Sequence, residues 1–126
     1  MPFSYKIDKE RKIVMSTGYG VFVLADALAH QEKLSKDPDF DPSFCQLMDF
    51  THVTKLDLRA EDVRRLAQAS IFSRDSRRAI LVTSDAAFGL ARMFEIVRST
   101  FGERGIQTFR NLDHALDWVL AKDIAP

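Results

Sequence analysis

Hydrophobic positions along this chain recur with a period of two in some stretches and of about 3.6 in others, and the changes of period mark out its elements. The central unit runs from Arg78 to Phe101. Ala79-Ile80-Leu81-Val82 has strand length, no polar interruption and charged residues before it, which predicts a strand buried on both faces. Ser84 and Asp85 then turn the chain and cap a long helix. Ala86, Ala87, Leu90, Met93, Phe94, Val97 and Phe101 form its broad inward face. Phe88, Ala91 and Phe94 sit beside that face, so the apolar stripe is wider than packing on one sheet requires.

Before this unit, Phe3, Tyr5 and Ile7 alternate with Ser4, Lys6 and Asp8, the pattern of a strand with one wet face. Asp8 to Arg11 turns the chain, and Lys12 to Thr17 returns as the second strand of an antiparallel hairpin at a sheet edge. Gly18-Tyr19-Gly20 is expected to break that strand. Val21 to Ser35 reads as a helix with Leu24, Ala27, Leu28, Gln31 and Leu34 on one side and no capping residue at its start. Lys36 to Ser43 is a loop with two prolines, pinned by Phe40. Phe44 to Phe50 predicts a second buried strand. A helix from Leu58 to Phe72 follows, capped by Asp57, with Val63, Leu66, Ala67, Ser70 and Ile71 facing inward.

Beyond the central unit, Gly102 and Gly105 flank the helix exit, where glycine takes the left-handed stop conformation. Ile106 to Phe109 is a short strand. Asn111 caps a last helix running to Leu120, with Leu112, Ala115, Leu116 and Val119 inward. The order is ββαβαβαβα. Right-handed crossovers make this a mixed, mostly parallel sheet with an antiparallel edge hairpin and helices on its faces, in a single domain over residues 1–126.

Composition narrows the function classes. Eighteen basic side chains balance 18 acidic ones, so no net field draws the chain to nucleic acid or an anionic membrane. The single cysteine, Cys45, excludes an internal disulfide and suits a reducing, cytoplasmic setting, and its apolar neighbours predict a structural thiol. The N-terminal residues lack a signal-peptide layout, and no apolar run approaches the roughly 20 residues of a membrane span.

Candidate chemistry is sparse. Gly18 and Gly20 give G-x-G, but Val23 stands where the third glycine of a dinucleotide fingerprint belongs. His30, His52 and His114 are far apart with no ligand-spaced partner, so no metal or cofactor is expected. Ser84 has no nucleophile elbow around it and reads as a cap. Arg74, Arg77 and Arg78, with Arg64 and Arg65 upstream, form the densest basic feature, a solvated loop or a patch for phosphate or lipid head groups. Ligands of open α/β sheets gather beyond the carboxyl ends of the strands, which points a small-molecule site to Asp49, Phe50, Thr51 and His52, to Thr83, Ser84 and Asp85, and to Phe109, Arg110 and Asn111.

The element order and the stretch LMDFTHVTKLDLRAEDVRRLA, Leu47 to Ala67, resemble the strand-to-helix region of STAS domains, the fold of bacterial anti-sigma factor antagonists. SDAAFGLARMFEIV from Ser84 and FRNLDHALDWVL from Phe109 are more similar still to uncharacterised bacterial SpoIIAA-like proteins, which commonly carry an fGlaRm helix and an FrdldeAl.WL tail. The resemblance spans nearly the whole chain and implies a STAS/SpoIIAA-like fold. In phosphorylated antagonists the second helix opens on an Asp-Ser-Ser-Gly type sequence whose serine receives phosphate. Here Asp57-Leu58-Arg59-Ala60 matches it, and Leu58 has no hydroxyl to phosphorylate.

The expectation is a non-catalytic STAS-like binding or regulatory domain whose partner is another protein or a second copy of itself, met along Phe88, Ala91, Arg92 and Phe94. The alternative is a carrier or sensor of a lipid or other apolar small molecule, with Arg92 or the Arg74 to Arg78 cluster at a polar head. An enzyme would require Asp49, His52 and Asp85 to converge in one pocket.

Overall fold

The computed structural model describes residues 3–121; residues 1–2 and 122–126, which the single-domain reading included, lie outside the described residues. Over the described span the strands are β1 (Phe3–Asp8), β2 (Ile13–Val23), β3 (Cys45–Asp57), β4 (Arg78–Leu81) and β5 (Ile106–Phe109). The helices are α1 (Leu24–Ser35), α2 (Ala60–Gln68), α3 (Asp85–Thr100) and α4 (Leu112–Val119), giving the expected ββαβαβαβα order. In space the strands keep sequence order, β1-β2-β3-β4-β5. β1 runs antiparallel to β2, and every other neighbouring pair is parallel.

Each parallel step crosses the sheet in the same direction, so crossovers of the favoured hand carry α1, α2 and α3 over one face. That face holds Val14, Met48, Ile80 and Val82, against Leu34 of α1 and Ala91 of α3. The helix α4 follows the last strand and covers the other face, where Ala115 and Val119 pack on Ile13, Leu47, Ala79 and Leu81. Val14, Ala79 and Ala115 are fully excluded from solvent, as an inner sheet packed on both sides requires.

Several boundaries depart from the sequence pattern. Gly18-Tyr19-Gly20 does not end the second strand, because β2 continues to Val23 alongside β3, which runs on through Thr51 and Thr54 to Asp57. The register slips on either side of Gly20, whose φ of +62° marks a bulge, and a Cβ on Gly18 would lie 3.0 Å from Val53 Cγ2. The glycines therefore bend a continuous strand. Asp57 is the last residue of β3 and does not cap α2. The backbone amides of Val23 and Arg59 instead donate to Asp26 Oδ2 (3.2 Å) and Asp62 Oδ2 (2.9 Å), so α1 and α2 are capped by an acid in their own first turns.

The helix α2 ends at Gln68, four residues short of Phe72. Phe72 folds back into the core, edge-on to Phe40 at 5.2 Å, and Phe40 pins the proline loop as expected. Ser84 Oγ accepts from Ala87 N (3.1 Å) and Asn111 Oδ1 from His114 N (3.0 Å), the two caps read from sequence. Gly102, at φ +90°, takes the left-handed stop. Gly105 serves differently: a Cβ there would stand 2.4 Å from the carbonyl oxygen of Ser76, so glycine is required by close backbone approach.

Candidate functional site

The layer of α1, α2 and α3 does not fill the space above its sheet face. A partly open cavity of about 90 Å³ remains, floored by Gln46, Met48, Ile80 and Val82 and roofed in part by Leu66 and Phe94. Alanines on the inner faces of two helices, Ala27 on α1 and Ala87 and Ala91 on α3, leave this room. A water needs about 10–15 Å³ of such space, so the cavity is several times larger than one water site. A second cavity of about 220 Å³ lies at the carboxyl ends of β3 and β4, against Thr54, Thr83 and Ser84. Phe50, Leu56 and Ala87 are walls of both, so the two adjoin. A strand rises about 3.3 Å per residue, which puts Arg78, at the start of β4, about 13 Å from Val82 along this floor.

The inner end is polar and buried. His30 Nε2 and Ser16 Oγ are 2.9 Å apart, Gln46 Nε2 donates to Ser16 Oγ (3.1 Å), and Arg78 Nε donates to Gln46 Oε1 (3.1 Å). Arg78 Nη1 reaches Ser70 Oγ (3.2 Å) and Glu103 Oε1 (3.3 Å), and the same carboxylate oxygen accepts from Arg98 Nε at 2.7 Å. Arg98 Nη1 donates to the carbonyl of Ala67 (2.6 Å), tying α3 to the end of α2. Phe72 and Phe94 present their rings to the Arg78 guanidinium, with centroids at 4.6 and 5.6 Å. Burial brings the pKa of Arg78 down to about 10, with repulsion from Arg98 adding and Glu103 opposing, so it stays charged at neutral pH. Burial lowers His30 to about 4, helped by Arg78 and Lys33, and keeps it neutral.

The residues expected beyond the strand ends come together only in part. Asp49 Oδ1 accepts from the amide and the hydroxyl of Thr51 (2.8 and 2.6 Å), one local turn of β3. His52 is exposed and stacks on Tyr19, with centroids 5.6 Å apart. Asp85 is 93% exposed and pairs with Arg110 Nη2 at 2.7 Å. Of the residues expected at the strand ends, Phe50, Thr83 and Ser84 line the second cavity, and Asp49, Thr51, His52 and Asp85 line neither.

Most of the long-helix flank packs inward. Ala91 is buried, and Phe88 and Phe94 are partly buried against Met48, Ile80 and Val82, because α3 is held between the sheet and α2. Ala91 and Phe94 wall the cavity, and Phe88 packs beside them half-buried. Arg92 lies on the outer side, paired with Glu95 at 3.1 Å. At the two ends of the expected inward face, Ala86 and Phe101 are exposed.

The basic cluster is divided by strand geometry. Arg77 and Arg78 are neighbours, so their side chains leave on opposite faces: Arg77 Nη1 donates to the carbonyls of Trp118 and Ala121, Arg78 enters the cavity layer. The pattern missed Ser16, His30, Gln46 and Glu103 as members of one network. A faint signal existed, since Ser16, Gln46 and Arg78 are polar residues at core-facing positions of successive strands. Among the described residues no group of His, Cys, Asp and Glu is placed to hold a metal ion, and no helix is long and apolar enough to cross a membrane.

No family model matches the chain, and no curated protein matches it. Its structure is similar to the crystal structure of an uncharacterised protein of the DUF3478 family, with a SpoIIAA-like fold, from Shewanella loihica PV-4. The two share 19% identity over 93% of each chain, at a TM-score of 0.60. At that identity the likeness establishes the fold: this chain has a SpoIIAA-like α/β fold. At its matching position Leu58 lines the cavity, an apolar wall where the resemblance would put a phosphorylated serine.

Proposed function

We propose that this domain binds a small apolar molecule in the cavity between the sheet and α1 to α3, as a carrier or sensor that does no chemistry on it. The supporting observation is the space itself, several times one water, walled by Phe22, Leu66, Ile80 and Phe94 and adjoining a wider cavity at the strand ends. A core built only for stability closes such space, since lost contacts cost about 24 cal/mol per Å³. Asp49, His52 and Asp85 each engage a partner of their own and line neither cavity, which favours binding over catalysis. Burial of Ala91 and partial burial of Phe88 and Phe94 weaken the case for self-association through α3.

Isothermal titration with two eight-carbon probes, 1-octanol and octanoate, tests this. Saturable one-to-one binding of at least one probe is expected, weakened about tenfold in Ala91→Leu, which narrows the cavity. Failure of both probes to bind the wild-type protein up to millimolar concentration would overturn the proposal whether or not the variant folds.

A further inference from the structure

Resting on that reading, we infer that the ligand carries a carboxylate head and that Arg78 receives it at the inner end of the cavity. The buried network holds two guanidinium groups, Arg78 and Arg98, against one carboxylate, Glu103, all at most 7% exposed. It therefore carries one positive charge that no anion of the network balances. The Phe72 and Phe94 rings offset part of that charge, yet an unpaired buried ion is costly, and such ions are found paired.

The surplus lies on the cavity side. Arg98 is committed to Glu103 and the Ala67 carbonyl, whereas Arg78 lines the cavity. Arg78 donates through Nε and Nη1, and among the described residues no hydrogen bond engages its Nη2. Gln31 lines the same cavity, and its Oε1 is buried without a partner. A half-turn of that amide puts its Nε2, a donor, in the same place. One guanidinium nitrogen and one amide nitrogen match the two oxygens of a carboxylate, while a phosphate would leave a third oxygen without a donor. From Arg78 the apolar floor runs on through Ile80 and Val82 toward Ser84, the course for an unbranched tail.

The experiment compares octanoate, 1-octanol and octyl phosphate by calorimetry at neutral pH, on the wild-type protein and on Arg78→Met. Octanoate is expected to bind the wild type at least about tenfold more tightly than octanol, and more tightly than octyl phosphate. In Arg78→Met the preference over octanol should fall to within about threefold. Equal binding of acid and alcohol, or a preference for the phosphate, would overturn the carboxylate assignment and leave the apolar site standing; binding of none would overturn both. An unchanged preference in a folded Arg78→Met would overturn the role of Arg78. If that variant does not fold by circular dichroism, Arg78→Lys replaces it, and the loss of at least half the preference, on a logarithmic scale, is required.

Discussion

His30 shows how one side chain carries information about the whole inner end. It lies beneath Phe3, whose ring stacks on it at 4.1 Å, bonds Ser16, and shares its surroundings with the positive charges of Arg78 and Lys33. Its pKa in the folded protein, about 4, lies below the ordinary 6.5. Between those values the unfolded chain binds a proton that the folded protein refuses, so stability falls as the pH drops from about 6.5 toward 4. The loss by pH 4 is about 3 kcal/mol, with full stability above the upper value. Urea midpoints at pH 7.0 and 4.5 should therefore differ much more for the wild type than for His30→Gln. An equal pH dependence in both proteins would show that His30 is not buried as described. None of this was visible in the sequence, where His30 is one polar residue on a helix. The burial of Arg78 was hidden for a related reason: a charged residue beside Arg77 and Arg74 fits a solvated loop or a head-group patch equally until the sheet is seen to be covered on both faces.

At the level of elements, the strands and helices were legible wherever period and punctuation agreed, as in β1, α3 with its Ser84 cap, and α4 with Asn111. They were not legible where the partner decided. Gly18-Tyr19-Gly20 reads as a break in isolation, but β3 offers a paired strand as far as Asp57, and the ladder carries β2 past the glycines. The width of the α3 stripe is legible in the sequence, but whether a neighbouring helix or a partner covers it is not, because tertiary packing is absent from a single helix's pattern and α2 supplies the second surface. Since Phe94 touches both the β4 floor and the Phe22 cluster, Phe94→Ala should cost about 3 kcal/mol, seen as a lower urea midpoint with an unchanged sedimentation coefficient. Unaltered stability with a change in oligomeric state would restore the flank as a contact surface.

For the molecule as a whole, the ββαβαβαβα order and its mostly parallel sheet followed from element sequence and the handedness of crossovers. The cavity did not, because its volume is the small difference between large opposed surfaces. Alanines at Ala27, Ala87 and Ala91 look like ordinary helix formers until they are found to face one another's empty space. The fold thus separates two tasks. The α4 face is a closed core around Ala79 and Ala115, and the opposite face keeps room, with Arg78 and Glu103 at its inner end.

That division can be read most directly from methyl spectra of the ¹³C-labelled protein titrated with octanoate. Saturable shifts are expected for the cavity methyls of Leu66, Ile80 and Val82, while Leu47, Leu81 and Val119 on the α4 face stay in place. Shifts of equal size on both faces, or none that saturate, would contradict a binding site between the sheet and the three-helix layer.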